Sequence, residues 1–125
     1  MMRFAFAALA AVVYAGSAMA EDDLVLGEKT FKKCAACHAP DDKTNKVGPH
    51  LGDVFGRVPG TVAEYKYSEA MIAFGAGGAK WDAATLDAYL ADPKGTVPKN
   101  KMTFAGLKKP EERAAVIAFL KSKKL

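Results

Sequence analysis

This sequence predicts an all-α domain with long irregular loops, on three observations. Apolar residues recur with a helical period in short runs between residues 22 and 122, and no alternating run of strand length interrupts them. Two stretches, about 39–66 and 92–109, carry Gly, Pro, Asp and Lys with little periodicity of either kind. The 125 residues, 50% hydrophobic and 26% charged, fit one compact domain, and that composition excludes both disorder and a multi-span membrane protein. The formal net charge of +4 favours an acidic partner, headgroups or nucleic acid without choosing among them.

Residues 1–20 read as an export signal that is cleaved. Arg3 precedes a continuous apolar run, and Ala18-Met19-Ala20 places small residues ahead of acidic Glu21. The run is shorter than the ~20 residues that a membrane span needs, so an uncleaved anchor is the weaker reading. Cleavage leaves residues 21–125 as the working domain, in which 17 basic residues face 14 acidic ones. Asp22 or Asp23 can then cap a first helix running through Leu24, Gly27 and Phe31 to the cysteines. A short second helix starts at Ser68 and stops at the Gly75-Ala76-Gly77-Gly78 cluster. Asp82 caps a third, whose apolar face is Leu86, Tyr89 and Leu90 and which Pro93 ends. Pro110 opens a fourth, with Glu111 and Glu112 at its positive end and Lys121, Lys123 and Lys124 at its negative end. Its expected face is Ala114, Ile117, Ala118, Phe119 and Leu120. No repeat or low-complexity linker divides the domain.

Chemistry concentrates in one box, Cys34-Ala35-Ala36-Cys37-His38, which holds both cysteines of the chain. A disulfide across so short a loop adds little stability. A redox dithiol wants a βαβ context that is absent here. A structural zinc site needs four ligands, and His50 is the one other candidate. Haem attachment uses every part: two thiols on one turn add to the two vinyl groups of one porphyrin, and the adjacent imidazole of His38 reaches the iron. The export signal agrees with it, and a buried ring explains loops that a domain of this size otherwise tolerates poorly.

Across residues 24–123 the chain resembles a class I cytochrome c, close to the bacterial cytochrome c2 type. The resemblance rests on Gly27, Phe31 and the cysteine box, on Gly48-Pro49-His50-Leu51 and Phe55-Gly56-Arg57, and on the segment from Tyr65 to Ala70. Trp81, Tyr89-Leu90, Asp92-Pro93-Lys94, the run from Lys101 to Gly106 and Ala118-Phe119-Leu120 complete it. Met71 and Asn100 depart from it, standing where many relatives carry Asn and Thr.

The resemblance implies about four helices with long loops wrapped around one haem c, held through Cys34 and Cys37. It implies His38 and Met102 as iron ligands; Met102 lies in a loop between Pro98 and Gly106, as a second ligand would. Pro49 is the family position that accepts a hydrogen bond from His38, and Arg57, Tyr67 and Trp81 match contacts to the haem propionates. Tyr89 is expected to reach the Met102 sulfur. Gly27, Phe31 and Phe119 are expected at the contact of the first and last helices, and His50 facing solvent with no part in ligation. Met/His ligation raises the reduction potential, which suits a periplasmic electron carrier, not an enzyme, working between a bc1-type donor and a terminal oxidase or photosynthetic reaction centre. Lys32, Lys33, Lys94, Lys99, Lys101, Lys108 and Lys109 would ring the haem edge and dock a monomer onto acidic surfaces of those complexes. Nucleic acid is excluded by export, and stable membrane insertion by cleavage. The alternatives are a haem enzyme or gas-binding cytochrome with a labile sixth ligand, and an exported thiol oxidoreductase. Relatives of the gas-binding c′ type carry the box near the C-terminus, unlike position 34 here.

Overall fold

A computed structural model describes residues 16–125, with side chains from Asp23 onward. The greater part of the segment read as an export signal, residues 1–15, lies outside the described residues. The first helix, α1 (Gly16–Phe31), begins upstream of the expected start. Asp22 and Asp23 sit within it, because Ala18, Met19 and Ala20 are strong helix formers and nothing between them and Asp22 breaks the run.

From Phe31 the chain runs irregularly to α2 (Glu69–Ala76), where the Ser68 hydroxyl accepts from the Met71 N–H as N-cap. The next helix, α3 (Ala83–Ala91), is capped by the Asp82 carboxylate on the Thr85 N–H and buries Leu86, Tyr89 and Leu90 as expected. Pro93 does end α3, but it also opens a further helical turn, α4 (Pro93–Thr96), inside a stretch expected to be loop throughout. Proline suits that first position because its missing N–H has no intrahelical partner there. Asp92 serves both helices, closing α3 with its N–H on Ala88 O and capping α4 by accepting from the Gly95 N–H. The last helix, α5 (Pro110–Ser122), starts at the expected proline.

The buried face of α5 is Ala115, Val116, Phe119 and Leu120, while Ala114 is exposed and Ile117 and Ala118 are half-buried. The expected face holds at Phe119 and Leu120, while Ala115 and Val116 are buried in place of Ala114, Ile117 and Ala118. The physical reason is α1, which packs on α5. A Cβ at Gly27 would lie 2.3 Å from Ala115 O and 2.8 Å from Phe119 Cβ, so the two backbones meet there and turn Ala115 and Phe119 inward. Phe31 completes the crossing with its ring 5.1 Å from that of Phe119. No strand occurs among the described residues, and no helix among them is long and apolar enough to cross a membrane.

The core formed by Phe31, Trp81, Leu86, Tyr89, Leu107, Val116 and Phe119 receives Cys34, Tyr67 and Met102 as half-buried neighbours. The loops are tied to this frame at a few backbone bonds. Gly56 N donates to Trp81 O (2.8 Å) and Trp81 N to Arg57 O (2.9 Å), which sets Arg57 beside the indole-bearing residue. Leu107 N donates to Leu90 O (2.7 Å), returning the segment that carries Met102 to α3.

Candidate functional site

The cysteine box winds off the C-terminal end of α1 in successive tight turns. Cys34 N donates to Phe31 O (2.7 Å), Cys37 N to Cys34 O (3.1 Å) and His38 N to Cys34 O (3.0 Å). This winding brings both thiols, free and half-buried, and the imidazole onto one short stretch of turn. Burial and the neighbouring Cys37 push the Cys34 thiol up, against a smaller opposing effect of Lys33. A redox-active dithiol needs the reverse, a cysteine stabilised as thiolate.

His38 is held as expected, with Nδ1 2.7 Å from Pro49 O. With Nδ1 donating, Nε2 is the ring atom left to a metal, and the carbonyl fixes tautomer and ring plane together. Burial holds the imidazole below its usual range and the Arg57 charge adds to this, while the Pro49 bond opposes it. The neutral form, whose lone pair can bind iron, is thereby favoured. Gly48 shapes the same seat. Its N–H donates to Cys37 O (2.8 Å), and a Cβ there would lie 2.3 Å from His38 Cε1. In the sequence Gly48 is legible only as part of a motif; the close approach that requires it is visible only in three dimensions.

Met102 sits half-buried with its sulfur 3.8 Å from the Tyr89 hydroxyl. Burial, with a lesser contribution from Tyr65, pushes the Tyr89 hydroxyl up to about 12. It therefore stays protonated at physiological pH and donates to sulfur, a weak acceptor. The Tyr89 ring also packs on Trp81 at 4.9 Å between centroids, joining the two positions in one aromatic group with Phe74.

Arg57 and Tyr67 lie close enough that each perturbs the other's ionisation. The Arg57 guanidinium donates from Nη2 to His50 O (3.1 Å) and from Nη1 to Gly52 O (3.4 Å), while its buried Nε has no partner. The Tyr67 hydroxyl accepts from Val62 N (3.0 Å). That bond uses the oxygen and leaves the O–H proton to donate. An orphaned guanidinium N–H beside an available hydroxyl donor is what a partly buried carboxylate such as a propionate would satisfy. The residues present thus fit a haem at both its iron and its acidic edge. His50 is half-buried, less open to solvent than expected, with its backbone pinned between Asn45 and Arg57.

Several of the lysines expected at the haem edge are engaged within the chain. Lys33 pairs with Glu112 at 3.5 Å, and the Lys101 ammonium lies 4.7 Å over the Tyr65 ring while donating to Lys66 O. Lys94 donates to Asn100 and Lys108 to Ala91 O. Lys32, Lys99 and Lys109 make no side-chain hydrogen bond or ion pair among the described residues.

Fold and site together define an all-α domain built for a covalently attached c-type haem. The family model described as cytochrome c matches residues 24–124. A cytochrome c2 iso-2 of Magnetospirillum fulvum is 52% identical over 92 residues, covering 74% of this chain and 93% of that protein. A cytochrome c2 of Afifella marina is 44% identical over 102 residues, covering 81% and 82%. The solved structure of cytochrome c2 from Rhodospirillum centenum matches with a TM-score of 0.76 at 37% identity, over 82% of this chain and 99% of that one. The chain belongs to the cytochrome c family and is of the class I, bacterial cytochrome c2 type. It is a haem c electron carrier, with its haem attached through Cys34 and Cys37.

Proposed function

We propose that the protein is a soluble periplasmic monomer that carries single electrons between membrane redox complexes, and that His38 and Met102 would hold the iron of its haem. The observation that carries this is the support behind both ligands. Pro49 O holds His38 from the far side of its ring and the Tyr89 hydroxyl meets the Met102 sulfur. The haem supplies one-electron exchange between Fe(III) and Fe(II). Arg57, Tyr67 and Trp81 bind its propionates. With Met102 as sixth ligand no coordination position is left open, which suits a carrier and not an enzyme. Residues 1–20 direct export and are removed; α1 then starts near Asp22 or Asp23, either of which can cap it. The rim lysines dock the haem edge onto acidic surfaces of a bc1-type donor and of a terminal oxidase or reaction centre.

Purified protein and its Met102→Ala variant test the ligand set. A neutral thioether favours Fe(II), so its loss lowers the reduction potential and lets the ferrous form bind carbon monoxide. Ready binding of carbon monoxide by the parent at neutral pH would instead favour the gas-binding reading. An unchanged spectrum and potential in the variant would remove Met102 as the ligand. Mass spectrometry of the periplasmic protein should find Glu21 at the N-terminus.

A further inference from the structure

Asn100 is a polar side chain placed among apolar ones, 4% exposed, two positions before Met102. Its amide is used at both ends. Nδ2 donates to Pro93 O and Val97 O, each at 2.9 Å, and Oδ1 accepts from the Met102 N–H at 2.9 Å. Lys94 Nζ adds a contact to Oδ1 at 3.3 Å and a bond to the Asn100 carbonyl. One side chain thus joins the first residue of the α4 turn and its C-cap, Val97, to the backbone of Met102. The chain needs such a tie here, because Lys99 is held in the left-handed region with φ of 65°, a conformation unfavourable for a side-chain-bearing residue. Serine or threonine offers one hydroxyl and cannot bridge two carbonyls and an N–H at once; aspartate loses both donors.

We propose that Asn100 is the positioning residue for the sixth iron ligand, clamping the Met102 backbone to α4 so that the sulfur is held at the iron. This rests on the reading of Met102 as that ligand. An external base such as imidazole must displace Met102 from the ferric iron, so its apparent affinity reads how firmly the loop presents the sulfur.

The test compares holoprotein variants by imidazole titration of the ferric form and by the thioether-to-iron charge-transfer band. Asn100→Ala removes the bridge, and the lost buried hydrogen bonds should raise imidazole affinity by roughly 10–100-fold and weaken the band. Gly27→Ala, which loosens the α1–α5 crossing without touching the Met102 loop, should leave both near the parent values. If Asn100→Ala yields no holoprotein, Asn100→Asp carries the same comparison: it keeps the shape and the acceptor, loses both donors, and should also raise imidazole affinity. Met102→Ala should abolish the band and bind imidazole most tightly. A Met102→Ala variant identical to the parent would remove the ligand reading and this one with it. If Met102→Ala behaves as expected while Asn100→Ala matches Gly27→Ala at equal loss of global stability, the clamp alone is overturned.

Discussion

Replacing Gly48 with Ala would put a Cβ 2.3 Å from His38 Cε1 and 2.7 Å from Nδ1, with the glycine backbone already bonded to Cys37 O. The imidazole must move, and the Pro49 bond that fixes its tautomer must lengthen. Overpacking of this kind costs about 1–3 kcal/mol. Urea unfolding of holo Gly48→Ala should show that loss together with a spectral change at the iron; stability loss with an unaltered spectrum would mean that the ring is not held there. This seat was legible in sequence only where it is local or carried by a motif: the box itself and the Pro49 partner. The role of Asn100 was not legible, although the residue stood out as a departure. Its partners are Pro93, the first residue of α4, and Val97, the C-cap of that turn, and a proline after a helix reads as a stop.

The same limit operates on whole elements. Phe119 and Leu120 of α5 can be joined at helical spacing by Ala114, Ile117 and Ala118 or by Ala115 and Val116, and periodicity alone does not choose between them. The choice is made by α1, whose Gly27 admits the α5 backbone at Ala115. The Phe31–Phe119 contact, by contrast, was legible through the family resemblance, which implies Gly27, Phe31 and Phe119 at the contact of the first and last helices. Gly27→Ala therefore tests the crossing as a unit. Neither Ala115 O nor the α5 backbone can yield alone, so the helices separate, at about 1–3 kcal/mol. For a domain of this size that lowers Tm by roughly 5–20 °C. Calorimetry of the holoprotein should find this drop with the reduction potential little changed. A variant as stable as the parent would mean that α1 and α5 have slack at this point.

At the scale of the molecule, stability and docking both depend on what the loops enclose. A domain near this size buries only about two-thirds of its unfolded surface, so the haem is a large share of its core. Cys34→Ala with Cys37→Ala should abolish covalent haem and leave a largely unfolded chain by circular dichroism, and a double variant that melts like the parent would contradict this. Docking depends on charges that are free to act. Lys33 is paired with Glu112, Lys101 is tethered to Tyr65 and Lys66, and Lys123 is paired with Asp41 at 2.8 Å. Reversing any of these also breaks an internal contact. Lys32, beside the cysteine box, and Lys99, in the Met102 loop, are the cleaner probes, with Lys124, beyond the end of α5, as the comparison. Screening at physiological ionic strength confines exposed charges to about 8 Å, so only lysines near the docking contact should matter there. Lys32→Glu and Lys99→Glu should each slow the second-order reaction with a bc1-type complex severalfold at low salt, with the deficit shrinking as salt rises. Lys124→Glu should slow it little. Stopped-flow rates across a salt series decide the matter: equal slowing at all three positions would mean that net charge, and not a lysine rim at the haem edge, guides the encounter.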